Sequence, residues 1–131
     1  MKITADTNVL LRAIVDDDRA QATRAIKLLE PADIVAVSLQ VLCELVWVLR
    51  GRYGVSRADI AASIRALMDT GNVAVNRPAV EAGLALLAEG GDFADGIIAF
   101  DGAWLGGEVF ASFDKRAVAL LRRQGRAVHL L

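Results

Sequence analysis

A chain of 131 residues with 15 basic and 16 acidic side chains has a formal net charge of −1, which excludes any global attraction to nucleic acid or to an anionic membrane. One cysteine, Cys43, excludes an internal disulfide or a thiolate metal cluster and fits a reducing compartment. Hydrophobic residues make up 55% of the chain and mean hydropathy is +0.43, an apolar excess that predicts a surface covered by a second subunit or another partner.

The opening "MKITADTNV" carries Lys2 and Asp6 within an alternating run, which argues against a signal peptide. No stretch approaches the roughly 20 apolar residues that span a bilayer, so a cytoplasmic protein is expected. Lys2–Asp6 reads as a strand, and Ala22, Ala25, Ile26 and Leu29 mark one face of a helix. A second β-rich run, Ile34–Ser38, precedes a more strongly apolar helix with Val41, Leu42, Leu45, Val46 and Leu49. "SRADIAASIRALMDTG" opens on Ser56 and Asp59 in a capping-box-like arrangement and stops at Gly71. Asn72–Asn76 is a third strand, followed by a helix with Pro78 near its first turn and Gly90-Gly91 at its end. "DFADGIIAF" opens a short apolar helix with two carboxylates, Asp92 and Asp95. Glu108–Phe113 and Ala127–Leu131 are the remaining strands, separated by a helix from Lys115 to about Gln124 that Gly125 ends. The alternation predicts one α/β domain over residues 1–131, with a central, mainly parallel sheet of about five strands flanked by helices.

Open parallel sheets bind ligands beyond the carboxyl ends of their strands, and three acids fall there. Asp6 closes the first strand, Asp114 closes the fourth, and Asp95 lies in the first turn of the helix before that fourth strand. Glu44 interrupts the apolar run "VLCELVWVL", where burial is costly without a pair or a cation. Each has an ordinary reading: a strand-end turn or N-cap for Asp6, a favourable helix-start charge for Asp95, a cap for Asp114, a solvent-facing position for Glu44. Together they make an all-oxygen donor set with no His or Cys, which suits Mg²⁺ or Mn²⁺ rather than zinc. Such ions mostly serve phosphate chemistry.

Four strings in order, "DTNVLLR", "VLCELVWVLRGRYG", "DFADGIIA" and "ASFDKRA", make the chain resemble the PIN-domain nucleases, and more narrowly the VapC-type toxins of bacterial toxin–antitoxin pairs. The resemblance runs nearly end to end and implies a PIN-like, Rossmann-like three-layer domain. It assigns Asp6, Glu44, Asp95 and Asp114 as catalytic metal ligands for Mg²⁺ (Mn²⁺ as substitute), with Asn8 and Ser112 supporting them. Asp92 then takes the helix cap and Asp95 the ligand role. The implied activity is hydrolysis of RNA phosphodiesters, leaving a 5′-phosphate and a 3′-hydroxyl.

The implied partners are an RNA substrate, a cognate antitoxin and a second copy in a homodimer. Arg12, Arg50, Arg52, Lys115 and Arg116 lie nearest the motifs and are the candidate RNA contacts, with Arg122, Arg123 and Arg126 as a second patch. Trp47 and Trp104 are candidates for base stacking, although Trp47 in its apolar helix also reads as core or interface. The helices at 39–50 and 57–69 are the candidate antitoxin groove, with Leu45, Val46, Trp47 and Leu49 as contacts. His129 and Cys43 read as structural. The helix after Asp95 departs from the family pattern. Gly96 weakens helix propensity by about 1 kcal/mol relative to Ala, Asp101 sits inside the same helix, and "DGAWLGG" looks loose, so its length and rigidity are in question.

Phosphoaspartyl enzymes are the neighbouring class, but the phosphatase kind wants an acid at the position of Asn8 and the receiver kind an Asp at the position of Asn76. A non-catalytic PIN scaffold would be marked by loss of one or more acids, and all four are present. A DNA-acting nuclease has nearly the same site chemistry and stays open.

Overall fold

Short β-rich runs of this chain end where a side chain with a free oxygen caps the next helix, and that junction repeats along the sequence. In the computed structural model, which describes residues 1–131, the chain divides into two compact units, Met1–Asn76 and Arg77–Leu131. The first holds β1 (Lys2–Thr4), α1 (Thr7–Ile14), α2 (Arg19–Leu29), β2 (Ile34–Ala36), α3 (Leu39–Gly51), α4 (Arg57–Met68) and β3 (Val73–Ala74). The second holds α5 (Arg77–Ala88), α6 (Phe93–Trp104), β4 (Phe110–Ser112), α7 (Lys115–Arg123) and β5 (Val128–Leu130).

In the first unit β1, β2 and β3 form a parallel sheet in that order, with Lys2 opposite Ile34 and Val35 opposite Val73. In the second, β4 and β5 pair in parallel, Phe110 opposite Val128. All five expected strands are present and parallel, in an α/β chain, but they are divided into a three-stranded sheet and a pair. Each is also shorter than the alternating pattern predicts. The residues at the strand ends serve the turn instead: Asp6 and Ser38 are N-caps of α1 and α3, because the first N–H groups of a helix need acceptors.

The core of the first unit is filled by Leu10 and Leu11 of α1, Val35 of β2, Leu42, Leu45 and Leu49 of α3, and Ile60 and Ile64 of α4, all nearly inaccessible. This corrects the reading of α3 as a partner-binding face. Leu45, Val46 and Leu49 are buried within the protein's own core and are not available as antitoxin contacts. Trp47, expected in the core or at an interface, is 75% exposed and is the one residue of that set on the surface. Its neighbours are inward because i, i+3 and i+4 positions share a helix face, which Trp47 does not. Ile26 of α2 is also on the outside, while Ala22 and Ala25 are buried.

In the second unit Leu86, Ala99, Leu120 and Leu121 form a cluster on which Phe110 and Val128 of the strand pair lie. The doubt about α6 is resolved here. The helix runs unbroken from Phe93 to Trp104 with Asp101 inside it, and the "loose" segment supplies its last turn, Leu105 donating to the Asp101 carbonyl at 3.1 Å. Gly96 is a packing requirement: a Cβ there would stand 2.5 Å from the Ala82 carbonyl oxygen and 2.9 Å from Gly83 Cα on α5. Gly83 is matched to it, since a Cβ there would meet the Phe93 ring at 2.8 Å. Two glycines thus let the α5 and α6 backbones approach closely, at the cost of some intrinsic helix propensity.

Candidate functional site

Asp6 leaves β1 and caps α1, but its carboxylate takes the N–H of the very next residue, Thr7, at 2.8 Å. The other capping aspartates reach one or two residues further: Asp92 to Ala94, Asp18 to Gln21, and Asp114 to both Arg116 and Ala117. Glu44 projects from α3 into solvent, and its Oε2 accepts the Thr7 hydroxyl at 3.0 Å. The expected problem of a buried glutamate therefore does not arise; its helix buries its other faces. Thr7 brings Asp6 and Glu44 together, although they are 38 residues apart. Asp6 Oδ2 and Glu44 Oε1 have no hydrogen-bond partner within the protein.

Asp95 occupies the first turn of α6 behind the cap residue Asp92, whose Oδ1 accepts the Ala94 N–H at 3.2 Å. Of the two paired acids, Asp92 is therefore the cap, and Asp95 is left uncommitted. Burial raises the Asp95 carboxyl above its ordinary value near 3.8, and the negative charges of Asp92 and then Asp114 raise it further. Asp114 caps α7 with a single oxygen, Oδ1, which accepts from Arg116 and Ala117 at 3.0 Å each. Its own N–H donates to Ser112 Oγ at 2.9 Å, so Ser112 fixes the backbone on which Asp114 turns.

Two sets of acids are thus formed, one in each unit: Asp6 with Glu44 through Thr7, and Asp95 with Asp92 and Asp114 through their charges. No group of three or more carboxylate, histidine or cysteine side chains is gathered closely enough to hold a metal as it stands. The donor chemistry nonetheless fits a hard divalent cation. All four acids offer oxygen only, three sit at helix N-termini, and none is ion-paired with a Lys or Arg. A half-buried carboxyl held against like charges is relieved by a cation, not by water alone.

Of the proposed RNA contacts, Arg50, Arg52, Lys115 and Arg116 are exposed. Arg12 is committed elsewhere: its Nη1 lies 2.7 Å from Asp17 Oδ1, while Tyr53 donates its hydroxyl to Asp17 Oδ2 at 2.8 Å. That network holds the end of α1 to the turn after α3 and removes Arg12 from the pool of unpaired cations. Asn8 is exposed and lines a shallow groove with Arg12, Gln21 and Arg24 rather than touching Asp6 or Glu44 by hydrogen bond. The residue in the supporting place is its neighbour Thr7, which sequence reasoning passed over. The available signal was its position at the first turn of a helix that follows a strand, directly beside the acid. His129 is exposed on β5, and no helix is long and apolar enough to cross a membrane.

No curated protein matches the chain. A family model described as the PIN domain matches residues 3–123, from β1 to the last residue of α7 and across both units. PIN domains are generally nucleases that work with divalent metal ions, in keeping with oxygen-only acids lacking cationic partners. With nearly the whole chain matched, this protein belongs to the PIN domain family.

Proposed function

We propose that this protein is the toxin of a toxin–antitoxin pair, a cytoplasmic Mg²⁺-dependent endoribonuclease held inactive by a cognate antitoxin. In this reading Asp6, Glu44, Asp95 and Asp114 hold the metal, with Mn²⁺ as a substitute. The observation that carries it is the PIN domain match over residues 3–123 together with four acids that offer oxygen only and form no ion pair with a Lys or Arg. When bound, the metal would lower the pKa of water and neutralise charge on the phosphodiester.

The chain's own residues do the rest. Asp6 and Glu44 each offer one oxygen not used by Thr7, and Asp114 offers Oδ2, since Oδ1 is spent on the α7 cap. Arg50, Arg52, Lys115 and Arg116 are exposed cations suited to phosphate contacts, which a chain of net charge −1 needs locally. Attack by water gives a 5′-phosphate and a 3′-hydroxyl. The homodimer and the antitoxin are supported by exposed apolar side chains: Trp47 in the first unit, and Trp104, Leu105, Val109 and Phe113 in the second.

The test is cleavage of total cellular RNA, and of single-stranded DNA in parallel, with and without Mg²⁺, by the wild type, Asp6→Asn and Asp95→Asn. Discrete RNA fragments with 5′-phosphate ends are expected. EDTA should abolish them, and each variant should reduce the rate on the order of 10³-fold. Cleavage that survives EDTA and both substitutions overturns the four-acid site, and preferential cleavage of DNA overturns the ribonuclease assignment.

A further inference from the structure

We propose that Thr7 is the positioning residue of the site's N-terminal half, holding one oxygen of Asp6 and one of Glu44 so that the remaining oxygen of each is presented to the cation. The inference rests on the metal-dependent reading above and goes beyond its four acids. Thr7 is the single polar residue of the chain in the buried class, 7% exposed. A buried hydroxyl must find a partner, and this one donates to a carboxylate 37 residues away at 3.0 Å. A bond from a hydroxyl to an ionised oxygen is among the stronger side-chain hydrogen bonds.

The partner itself gains nothing in stability that solvent could not supply, because Glu44 is exposed and water would satisfy it. What the bond supplies is orientation. An exposed glutamate is otherwise free in three torsions, and here one oxygen is pinned to the start of α1. The same residue's N–H draws Asp6 Oδ1 to the first helical position, not to the second or third, where the protein's other aspartate caps are bonded. Both acids are thereby referenced to one residue at the start of α1. Supporting partners of this kind typically tune metal affinity 10–100-fold.

The experiment is titration of the full chain with Mn²⁺ by calorimetry, beside the Mg²⁺ dependence of RNA cleavage, for the wild type, Thr7→Val, Thr7→Ser and Glu44→Ala with and without Thr7→Val. Thr7→Val should weaken Mn²⁺ binding about tenfold or more and raise by a similar factor the Mg²⁺ concentration for half-maximal cleavage. Thr7→Ser should restore both. In the Glu44→Ala background the valine should change Mn²⁺ affinity less than twofold, because the acid it orients is gone. Wild-type affinity in a folded Thr7→Val, or serine as weak as valine, overturns the role. Should Thr7→Val not fold, Thr7→Ala against Thr7→Ser makes the same comparison. A wild type that binds no Mn²⁺ overturns the metal reading and this inference together, whereas failure of Thr7 alone leaves the wild-type titration intact.

Discussion

The two units prepare their carboxylates by opposite means. In the first, Asp6 and Glu44 are oriented by hydrogen bonds from one buried threonine. In the second, Asp95 is charged against its surroundings, half-buried and near two other acids. Their packing differs in the same way. The first unit fills its interior with bulk, the leucines of α3 against the isoleucines of α4, whereas the second closes α5 on α6 through glycines. The lesson is that acids in one proposed site need not be made ready alike: one pair depends on the position of a hydroxyl, the other acid on the cation that relieves it.

The contrast can be broken at several points. The largest stability effect belongs to bulk packing: Leu45→Ala should cost about 2–5 kcal/mol in denaturant unfolding. Trp47→Ala, on the same helix but exposed, should cost less than about 1 kcal/mol and yet weaken binding of the proposed antitoxin measured by calorimetry. A stable, fully folded Leu45→Ala would mean that the α3 interior is not the core described. Next comes close approach. Gly96→Ala improves helix propensity by about 1 kcal/mol but should still destabilise the protein by about 1–3 kcal/mol through overpacking against Ala82 and Gly83. A gain in thermal midpoint would show that the α5–α6 approach has slack.

The smallest effect is electrostatic and has the opposite sign. The Asp95 carboxyl is raised in the folded protein, so the fold favours its protonated form. That contribution is fully present below the ordinary value near 3.8 and is lost as pH rises through the raised value. At neutral pH Asp95→Asn should therefore raise the metal-free melting midpoint by about 1–3 °C, with solvent screening keeping the gain small. The gain should vanish on acidification and narrow in saturating Mg²⁺, which stabilises only the wild-type site. A variant less stable than the wild type at pH 7 without metal would show that Asp95 is not held against like charge.

Much of this architecture was legible in the sequence. The helix starts at Ser56, Asp92 and Lys115 and the stop at Gly125 follow from capping oxygens and turn conformations within a few residues, and the structure has Gly125 at a φ of +87°. The α/β alternation and the parallel pairing followed from β-rich runs separated by helical ones. Strand lengths did not, because a residue with strand propensity next to a helix start is taken over by the cap. The candidate acids were legible as a set because an oxygen-only donor group at strand ends is unusual chemistry. The state of each was not. Glu44 looked buried from its neighbours and is exposed, and Arg12 looked available and is tied to Asp17.

The sequence by itself determined several helix ends, at Ser56, Asp92 and Gly125, and the oxygen-only chemistry of the candidate acids, because capping, periodicity and side-chain chemistry act between near neighbours. Tertiary structure alone decided which oxygens stay free, which leucines are interior, and why Gly96 cannot be alanine. Those outcomes depend on distant stretches of chain meeting. Thr7 reaches Glu44, and Gly96 reaches Ala82, only once α1 has been folded onto α3 and α6 onto α5.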